Sequence, residues 1–345
     1  MAHTQVLARG LTGSQTYSTF QYDLVLYALV AVGMGLFASM IYALVTRTEV
    51  SKKYRGAAHA SALISGVATL GYLALIAFWL VGFKLRGESW VPNPAHYFSN
   101  GFRYTDWTIT VPLLTAELLA VCALAGDKAR TLRFTTMSAA FLMIVTGFIG
   151  NELNEGASPN TAALLIWGAI STVFYVYLYV ALAGAVHASL PELSERTGKS
   201  LKNATILLFA VWGTYPVVYL IFAFTKHSTY WAITAQLLFC AADLTAKAGF
   251  GALIHKIAKL RTAEDALRGE ETLPDVYPEE VYVSHQKLSE PQRPLRTSDS
   301  PTHPEFAGRT LASPAAGGRS ARTPASGPIG VQDRLDSGDP GSRRV

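Results

Sequence analysis

The chain has 345 residues, of which 50% are hydrophobic and only 15% are charged. Because soluble domains carry about a quarter charged residues, this composition favours a membrane protein over a soluble one. The net charge of +5 does not indicate a nucleic-acid-binding protein, since the basic residues between the apolar stretches cluster in alternate loops and the intervening loops hold fewer.

Seven apolar stretches follow one another, and each approaches the length of about 20 residues that a helix needs to cross a bilayer. They cover residues 22–46, 57–83, 104–125, 133–151, 161–187, 203–224 and 230–254. The sequence therefore predicts an all-α, multi-pass protein of the cell membrane with a seven-helix bundle at 21–261. Residues 1–20 lack the pattern of a cleavable signal peptide, and the orientation given below makes them an extracellular segment.

The basic residues predict the orientation of the bundle. Cytoplasmic loops of membrane proteins carry an excess of lysine and arginine. That excess falls on alternate loops, at Arg47, Lys52, Lys53 and Arg55, at Lys128, Arg130 and Arg133, at Arg196, Lys199 and Lys202, and at Lys256, Lys259 and Arg261. We therefore expect the N-terminus outside and the C-terminus in the cytoplasm. The long loop around 87–101 is then external, and it could form a small hairpin or cap.

Residues 262–345 are rich in proline, serine, glycine and arginine and have few long apolar side chains. Such a segment cannot bury enough apolar surface to offset its conformational entropy, which predicts a disordered cytoplasmic tail. A short extension of the last helix through Leu267 remains compatible with the sequence. Cys122 and Cys240 fall in apolar stretches and are expected to be buried free thiols, with no disulfide and no metal-ligand spacing.

The third stretch carries charged residues. A charge in the membrane core costs free energy, so each of these residues requires a structural or functional explanation. At about 100° per residue, Asp106, Thr110, Leu114 and Glu117 fall on one face. The two carboxylates are about 16 Å apart along the helix axis. They could form an inward-facing pair at two depths. Alternatively, Asp106 pairs with Arg103 and Glu117 extends to the membrane interface.

Asp243 and Lys247 are four residues apart in the last stretch, a spacing that puts both side chains on one helix face. They could form a structural ion pair that fixes the helix in the bundle. Alternatively, a desolvated Lys247 carries an aldehyde ligand as a Schiff base. One shared site is favoured, since Lys247 and Arg103 balance the charges of Asp106 and Asp243.

Three segments resemble the microbial rhodopsins, and the resemblance extends over about residues 20–260. RYTDWTITVPLL, beginning at Arg103, resembles their third helix, and DLTAKAGFG, beginning at Asp243, resembles their seventh. WGTYPVVY, from Trp212 to Tyr219, resembles their sixth helix. The resemblance implies that the chain binds all-trans retinal through Lys247.

The family's residue roles carry over to matching positions. Asp106 would be the counterion and proton acceptor, Asp243 the second counterion and Glu117 the proton donor. Thr110 would hydrogen-bond the acceptor, and Arg103 would couple the site to the outside. The retinal-pocket positions are Trp107, Leu114, Met143, Gly147, Trp212, Tyr215, Pro216 and Tyr219.

The Asp106–Thr110–Glu117 set resembles that of proteorhodopsin-like and xanthorhodopsin-like pumps. It implies a light-driven outward proton pump, an ion transporter rather than an enzyme. The resemblance also suggests a homo-oligomer in the lipid bilayer, with protons as the transported species. Alternatives are a sensory rhodopsin that signals through a cytoplasmic partner, a light-gated channel, and a receptor or transporter without photochemistry.

The sequence departs from the proton-pump pattern in three places and matches particular members at two others. No histidine lies in the middle of the second stretch, where proteorhodopsin-like pumps pair one with the acceptor. Ala235 aligns with the glutamate of the bacteriorhodopsin proton-release group, and Tyr219 aligns with a frequent tryptophan. Gly168 matches the glycine of antenna-binding xanthorhodopsin-like members, which leaves two interpretations open: a carotenoid contact or close helix packing. Leu114 resembles the residue of green-absorbing members.

Overall fold

The computed structural model describes residues 11–155, 160–224 and 228–269. Helices α1 (Thr19–Thr46), α2 (Arg55–Gly82), α3 (Gly101–Ala120), α4 (Gly126–Glu155) and α5 (Thr161–Ser189) are continuous. The sixth membrane helix consists of α6 (Glu195–Trp212) and α7 (Thr214–Phe224). The seventh consists of α8 (Thr229–Leu244), a π-helical turn (Thr245–Gly249) and α9 (Phe250–Leu267). The predicted seven-helix fold is confirmed.

Six of the seven membrane helices are long and apolar enough to cross a membrane by length and composition. The exception is α3, which has Arg103, Asp106 and Glu117 within its 20 residues. All three side chains are buried, so the charges of α3 face the inside of the bundle. Large apolar side chains such as Phe37, Leu70 and Val173 are exposed on the outside, as expected for a surface that contacts lipid tails.

Three short strands cover one end of the bundle, here called the strand end. They are β1 (Tyr17–Ser18), β2 (Phe83–Arg86) and β3 (Ser89–Pro92), and β3 pairs antiparallel with both others. The hairpin of β2 and β3 turns at Gly87, which has a φ of +61°. A hairpin was one of the forms expected for this loop, although its first strand begins at Phe83, before the loop. Ser18 and Gln21 form a capping box that begins α1.

The opposite end, here called the tail end, is where α9 finishes. Its three loops are tied to α9 by hydrogen bonds from the Ser51 N–H to Thr262 Oγ1, from Arg261 Nη1 to the Val121 carbonyl and from Thr197 Oγ1 to Glu264 Oε1. Helix α9 continues through Leu267, the short extension that the sequence allowed. The rest of the predicted tail, residues 270–345, lies outside the described residues.

Lysine and tyrosine contacts at Asp265 strengthen this attachment. Lys53 Nζ lies 2.9 Å and Tyr54 Oη 2.5 Å from Asp265 Oδ2. Burial and the hydrogen bond to Asp265 raise the pKa of Tyr54 to about 12, so its hydroxyl stays a donor at neutral pH. The last helix is therefore fixed to the loop between α1 and α2.

The sixth and seventh helices are irregular at the level of the predicted site. Pro216 has no N–H to donate to the Trp212 carbonyl, and the helix is interrupted at Gly213 between them. The π-helical turn contains Lys247. Single π-turns inside α-helices occur often at functional sites.

Candidate functional site

Lys247 lies between two carboxylates in the middle of the bundle. Its Nζ is 2.5 Å from Asp106 Oδ2 and 3.2 Å from Asp243 Oδ1. The three side chains are at most 4% exposed. Helix α3 supplies Asp106, and the seventh helix supplies the other two residues, so the predicted shared site is a contact between those two helices.

Arg103 completes the charge balance on the strand side of Lys247. Its Nη1 lies 3.3 Å from Asp243 Oδ2, and its Nη2 donates to Gln236 Oε1 at 2.9 Å. The alternative that Asp106 pairs with Arg103 is wrong, because Asp106 bonds to Lys247 and Arg103 bonds to Asp243. Two positive and two negative buried charges form one neutral cluster, which limits the cost of desolvating them.

The two carboxylates differ in how fully they are hydrogen-bonded. Asp243 accepts bonds from Tyr72 Oη at 2.9 Å, Trp107 Nε1 at 3.0 Å and Tyr215 Oη at 2.8 Å, in addition to its two cationic partners. Asp106 Oδ1 is buried and has no hydrogen-bond partner among the described residues. Five donors hold Asp243 as an anion, whereas Asp106 retains an open position on its carboxyl group.

Thr110 makes a different contact from the one that the resemblance implies. Its hydroxyl donates to the backbone carbonyl of Asp106 at 3.0 Å and not to the carboxylate. Thr110 is fully buried next to the site, so it contributes to packing and to the helix backbone at the acceptor.

Glu117 is completely buried, and the Ser61 hydroxyl of α2 donates a hydrogen bond to its Oε1. The alternative that Glu117 extends to the membrane interface is therefore wrong. Glu117 Oε2 has no hydrogen-bond partner within the described part of the chain. The third helix thus holds a second buried carboxyl group toward the tail end, about 16 Å along the axis from Asp106.

An apolar cavity of about 360 Å³ adjoins the charge cluster. Trp107 and Tyr215 line this cavity and also donate hydrogen bonds to Asp243. One end of the cavity is therefore next to Asp243, which is a partner of Lys247. Of the predicted pocket residues, those that line it are Trp107, Met143, Gly147, Trp212, Tyr215, Pro216 and Tyr219. Leu114 is buried in the surrounding core and is absent from the described lining. The volume and apolar walls fit an elongated apolar ligand. Lys247 is outside the described lining and is linked to the cavity through Asp243, which bonds to Trp107 and Tyr215.

Gly168 lines the cavity beneath the ring of Tyr219. A Cβ atom on Gly168 would lie 2.7 Å from Tyr219 Cε1, so the glycine permits this close contact. The Tyr219 hydroxyl donates to the Leu164 carbonyl at 2.8 Å, which fixes the ring. Leu165 and Thr172 line the same cavity and are exposed on the outer surface, so the cavity reaches the lipid-facing side of α5.

Sequence reasoning missed four residues of the site: Ser61, Gly71, Tyr72 and Gln236. Tyr72 and Gln236 hold Arg103, and Gln236 Nε2 also donates to Asn100 and Thr12 near the strand end. A buried glutamine in an apolar stretch was a usable signal, because such a group requires partners. Gly71 lies against Asp106, where an added Cβ atom would be 3.2 Å from Asp106 Cβ. The contacts of Ser61 and Gly71 depend on how α2 packs against α3, for which the sequence has no marker.

The family model for bacteriorhodopsin-like proteins matches residues 23–260, about two thirds of the chain. The chain belongs to the bacteriorhodopsin-like family. As a member of this microbial rhodopsin family, it is a multi-pass membrane protein. The matched range ends before the tail and includes every site residue described above.

Named relatives of this rhodopsin include haloarchaeal and bacterial proteins. Bacteriorhodopsin-I of Haloarcula marismortui is 32% identical over 238 residues, covering 64% of this chain and 84% of the relative. The green-light absorbing proteorhodopsin of gamma-proteobacterium EBAC31A08 is 26% identical over 227 residues, covering 66% and 83%. Xanthorhodopsin, described as a light-driven ion pump with dual chromophore, superimposes with a TM-score of 0.68 at 31% identity, covering 73% of this rhodopsin and 98% of the neighbour.

Proposed function

We propose that this rhodopsin is a light-driven outward proton pump that binds all-trans retinal at Lys247. The observation that carries the proposal is the position of Lys247 Nζ, within hydrogen-bond reach of Asp106 and Asp243 and next to the apolar cavity. A second buried carboxyl group, Glu117, lies further along the same helix as Asp106. Membership of a family whose named relatives include proteorhodopsins and a light-driven ion pump supports the same conclusion.

The cavity fits retinal by shape and chemistry. Trp107, Trp212 and Tyr215 provide aromatic walls, and Gly147 leaves room where a larger side chain would protrude. Retinal joined to Lys247 as a protonated Schiff base would supply light absorption and an isomerisation that redirects the N–H bond. The surrounding side chains exclude water and hold the lysine nitrogen in one position against its acceptors.

The unequal hydrogen bonding of the two carboxylates supports different roles for them. The nitrogen of Lys247 passes its proton to Asp106, whose Oδ2 is 2.5 Å away and whose Oδ1 is otherwise unpartnered among the described residues. Asp243 remains an anion because five donors stabilise it, and it keeps Arg103 in place. Glu117 then returns a proton to Lys247 from the tail side.

The depth of the two groups supports the proposed direction of transport. Asp106 lies one and a half helical turns from the start of α3 at the strand end, and Glu117 lies one turn from its finish at the tail end. Protons thus enter from the tail end and leave toward the strands. The positively charged loops occupy the tail end, which the positive-inside rule assigns to the cytoplasm. Transport is therefore outward.

Access is proposed to switch through the sixth helix. Trp212 lines the cavity at the end of α6, and the interruption at Gly213 separates it from α7. Tyr179 donates to the Phe209 carbonyl at 2.5 Å, which supports the helix just before the interruption. Movement of Trp212 would therefore bend the helix at Gly213 and Pro216 and open the tail side to Glu117.

A carotenoid antenna is a further possibility for the same cavity, because xanthorhodopsin is described as having a dual chromophore. The cavity reaches the outer surface beside Leu165 and Thr172, where a long apolar molecule in the membrane would come close to Tyr219. Energy transfer from an added hydroxylated carotenoid, with induced circular dichroism, would support this contact. Neither signal is expected if Gly168 serves only to pack Tyr219.

The proposed function is tested first through pigment formation. The full chain, expressed with all-trans retinal, should give a visible absorption band, and Lys247→Ala should abolish it. Lys256→Ala is the matched control, since this lysine is exposed in the same membrane helix near the tail end. A colourless wild-type protein would contradict the proposal. A coloured protein that moves no protons in light would favour the sensory alternative.

A further inference from the structure

The last membrane helix carries a polar face beyond Lys247 that the proposed pump cycle does not use. Gly251, His255 and Lys259 follow one another at intervals of four residues in α9, so they lie on one side of the helix. Each interval corresponds to about 6 Å along the axis. This face leads from the level of Glu117 to the tail end of the bundle.

The inner end of this face meets the proposed proton donor. A Cβ atom on Gly251 would lie 3.1 Å from Ser61 Oγ and 3.6 Å from Glu117 Oε1, so α9 passes directly beside the donor at this glycine. Glu117 Oε2 is buried and is not hydrogen-bonded within the described residues. The donor therefore has an open oxygen at the level where the polar face begins.

The outer end of the face reaches solvent through an acidic residue. His255 Nε2 lies 3.4 Å from Glu49 Oε2, and Lys259 Nζ lies 2.7 Å from the same oxygen. The side chain of His255 is only 7% exposed, whereas that of Glu49 is 34% exposed. The charges acting on His255 are those of Glu49 and Lys259, and the Tyr42 ring of α1 packs against the imidazole at 5.5 Å.

We infer that His255 and Glu49 form the proton-uptake relay that recharges Glu117 from the tail side. This inference rests on the proposed pump function. After Glu117 has given its proton to Lys247, its carboxylate takes a proton from the His255 imidazolium: an N–H bond breaks and an O–H bond forms. The neutral imidazole then takes a proton from solvent through the Glu49 carboxylate. His255 follows Gly251 by one turn, about 6 Å along the axis, a span that two hydrogen bonds through one water would bridge.

The rival role for these residues is structural, an ion pair that ties the 3₁₀ turn Arg47–Glu49 to α9. A structural pair would alter thermal stability, whereas a relay sets the rate at which a proton is taken up after a light flash. The two roles are therefore separated by kinetics. The retinal-loaded full chain is flashed in the presence of a pH-sensitive dye, and visible absorption reports proton return to Lys247.

In His255→Gln we expect proton uptake to slow by about tenfold or more, because the substituted side chain cannot carry a proton. The preceding transfer from Glu117 to Lys247 should stay within about twofold of wild type, and added imidazole should restore uptake. Glu49→Gln should slow uptake to a smaller extent. His187→Gln is the matched control, since His187 is exposed near the tail-side finish of α5 and should leave uptake unchanged.

Uptake in His255→Gln within about twofold of wild type would overturn the relay while leaving the pump intact. If His255→Gln forms no pigment, the relay is tested with Glu49→Gln instead. Proton uptake at the wild-type rate in Glu49→Gln would then overturn the relay. Absence of any flash-induced proton release or uptake in the wild type would instead contradict the proposed function itself.

Discussion

The Asp106 side chain lies against Gly71 of the second helix, where a Cβ atom would be 3.2 Å from Asp106 Cβ. Gly71 has no side chain to bond to the acceptor, and among the described residues the Asp106 carboxyl group is hydrogen-bonded only to Lys247. The acceptor therefore depends directly on the charge of the lysine nitrogen.

Asp106→Asn should abolish proton transport and move the visible absorption band to longer wavelength. An amide cannot accept the proton, and loss of the anion removes the charge that stabilises the protonated nitrogen in the ground state. Absorption spectroscopy and light-driven pH changes measure both effects. Asp127→Asn is the control, because this aspartate is exposed at the start of α4. Transport at the wild-type rate in Asp106→Asn would refute the acceptor assignment.

The sequence predicted the seven helices and the charge cluster because both leave strong signals. Seven apolar stretches are hard to explain otherwise, and the charges of Arg103, Asp106, Asp243 and Lys247 balance only if they meet. The hydrogen bonds of Tyr72 and Ser61 could not be predicted, because tyrosine and serine are tolerated in many membrane helices. Thr110 was assigned to the acceptor carboxylate by resemblance, yet its hydroxyl bonds to the nearer backbone carbonyl.

Glu117→Gln should slow the return of the proton to Lys247 by about 100-fold or more, the usual contribution of a positioned proton donor. The glutamine keeps the size of the side chain but has no proton to give. Azide, a small diffusible acid, should restore the rate. Time-resolved visible absorption measures this step.

Glu195→Gln, an exposed position at the start of α6, is the control for that experiment and should behave as wild type. If Glu117→Gln also returns the proton at the wild-type rate, the donor is another group and the polar face of α9 has to be reassigned.

Tyr72→Phe should lower the free energy of unfolding by about 1–2 kcal/mol, because Asp243 and Arg103 each lose a buried hydrogen-bond partner. A shift of the visible band should accompany the loss, since Asp243 is within 3.2 Å of Lys247 Nζ. Thermal denaturation and absorption spectra measure the two effects. Tyr22→Phe, whose hydroxyl makes only a 3.5 Å contact with the Trp79 carbonyl, should change neither quantity appreciably.

Gly168→Ala should destabilise the protein by about 1–3 kcal/mol, because the added methyl group would overlap the fixed ring of Tyr219. Gly184→Ala in the same helix is a matched control: among the described residues, no atom outside its chain neighbours and the backbone of its own helix lies within 4 Å of the added Cβ. The change should therefore be neutral or slightly stabilising. Thermal unfolding of the two variants provides the comparison. Equal stability of Gly168→Ala and Gly184→Ala would show that the position of the Tyr219 ring does not require a glycine at residue 168.

Net proton movement in light is the most direct test of the proposed function. Cells that express the full chain with all-trans retinal are suspended without buffer, and the external pH is recorded under green light with and without a protonophore. We predict external acidification that the protonophore abolishes. A coloured protein with no pH change, or an alkalinisation that the protonophore enhances, would contradict outward proton pumping and the roles assigned to Asp106 and Glu117.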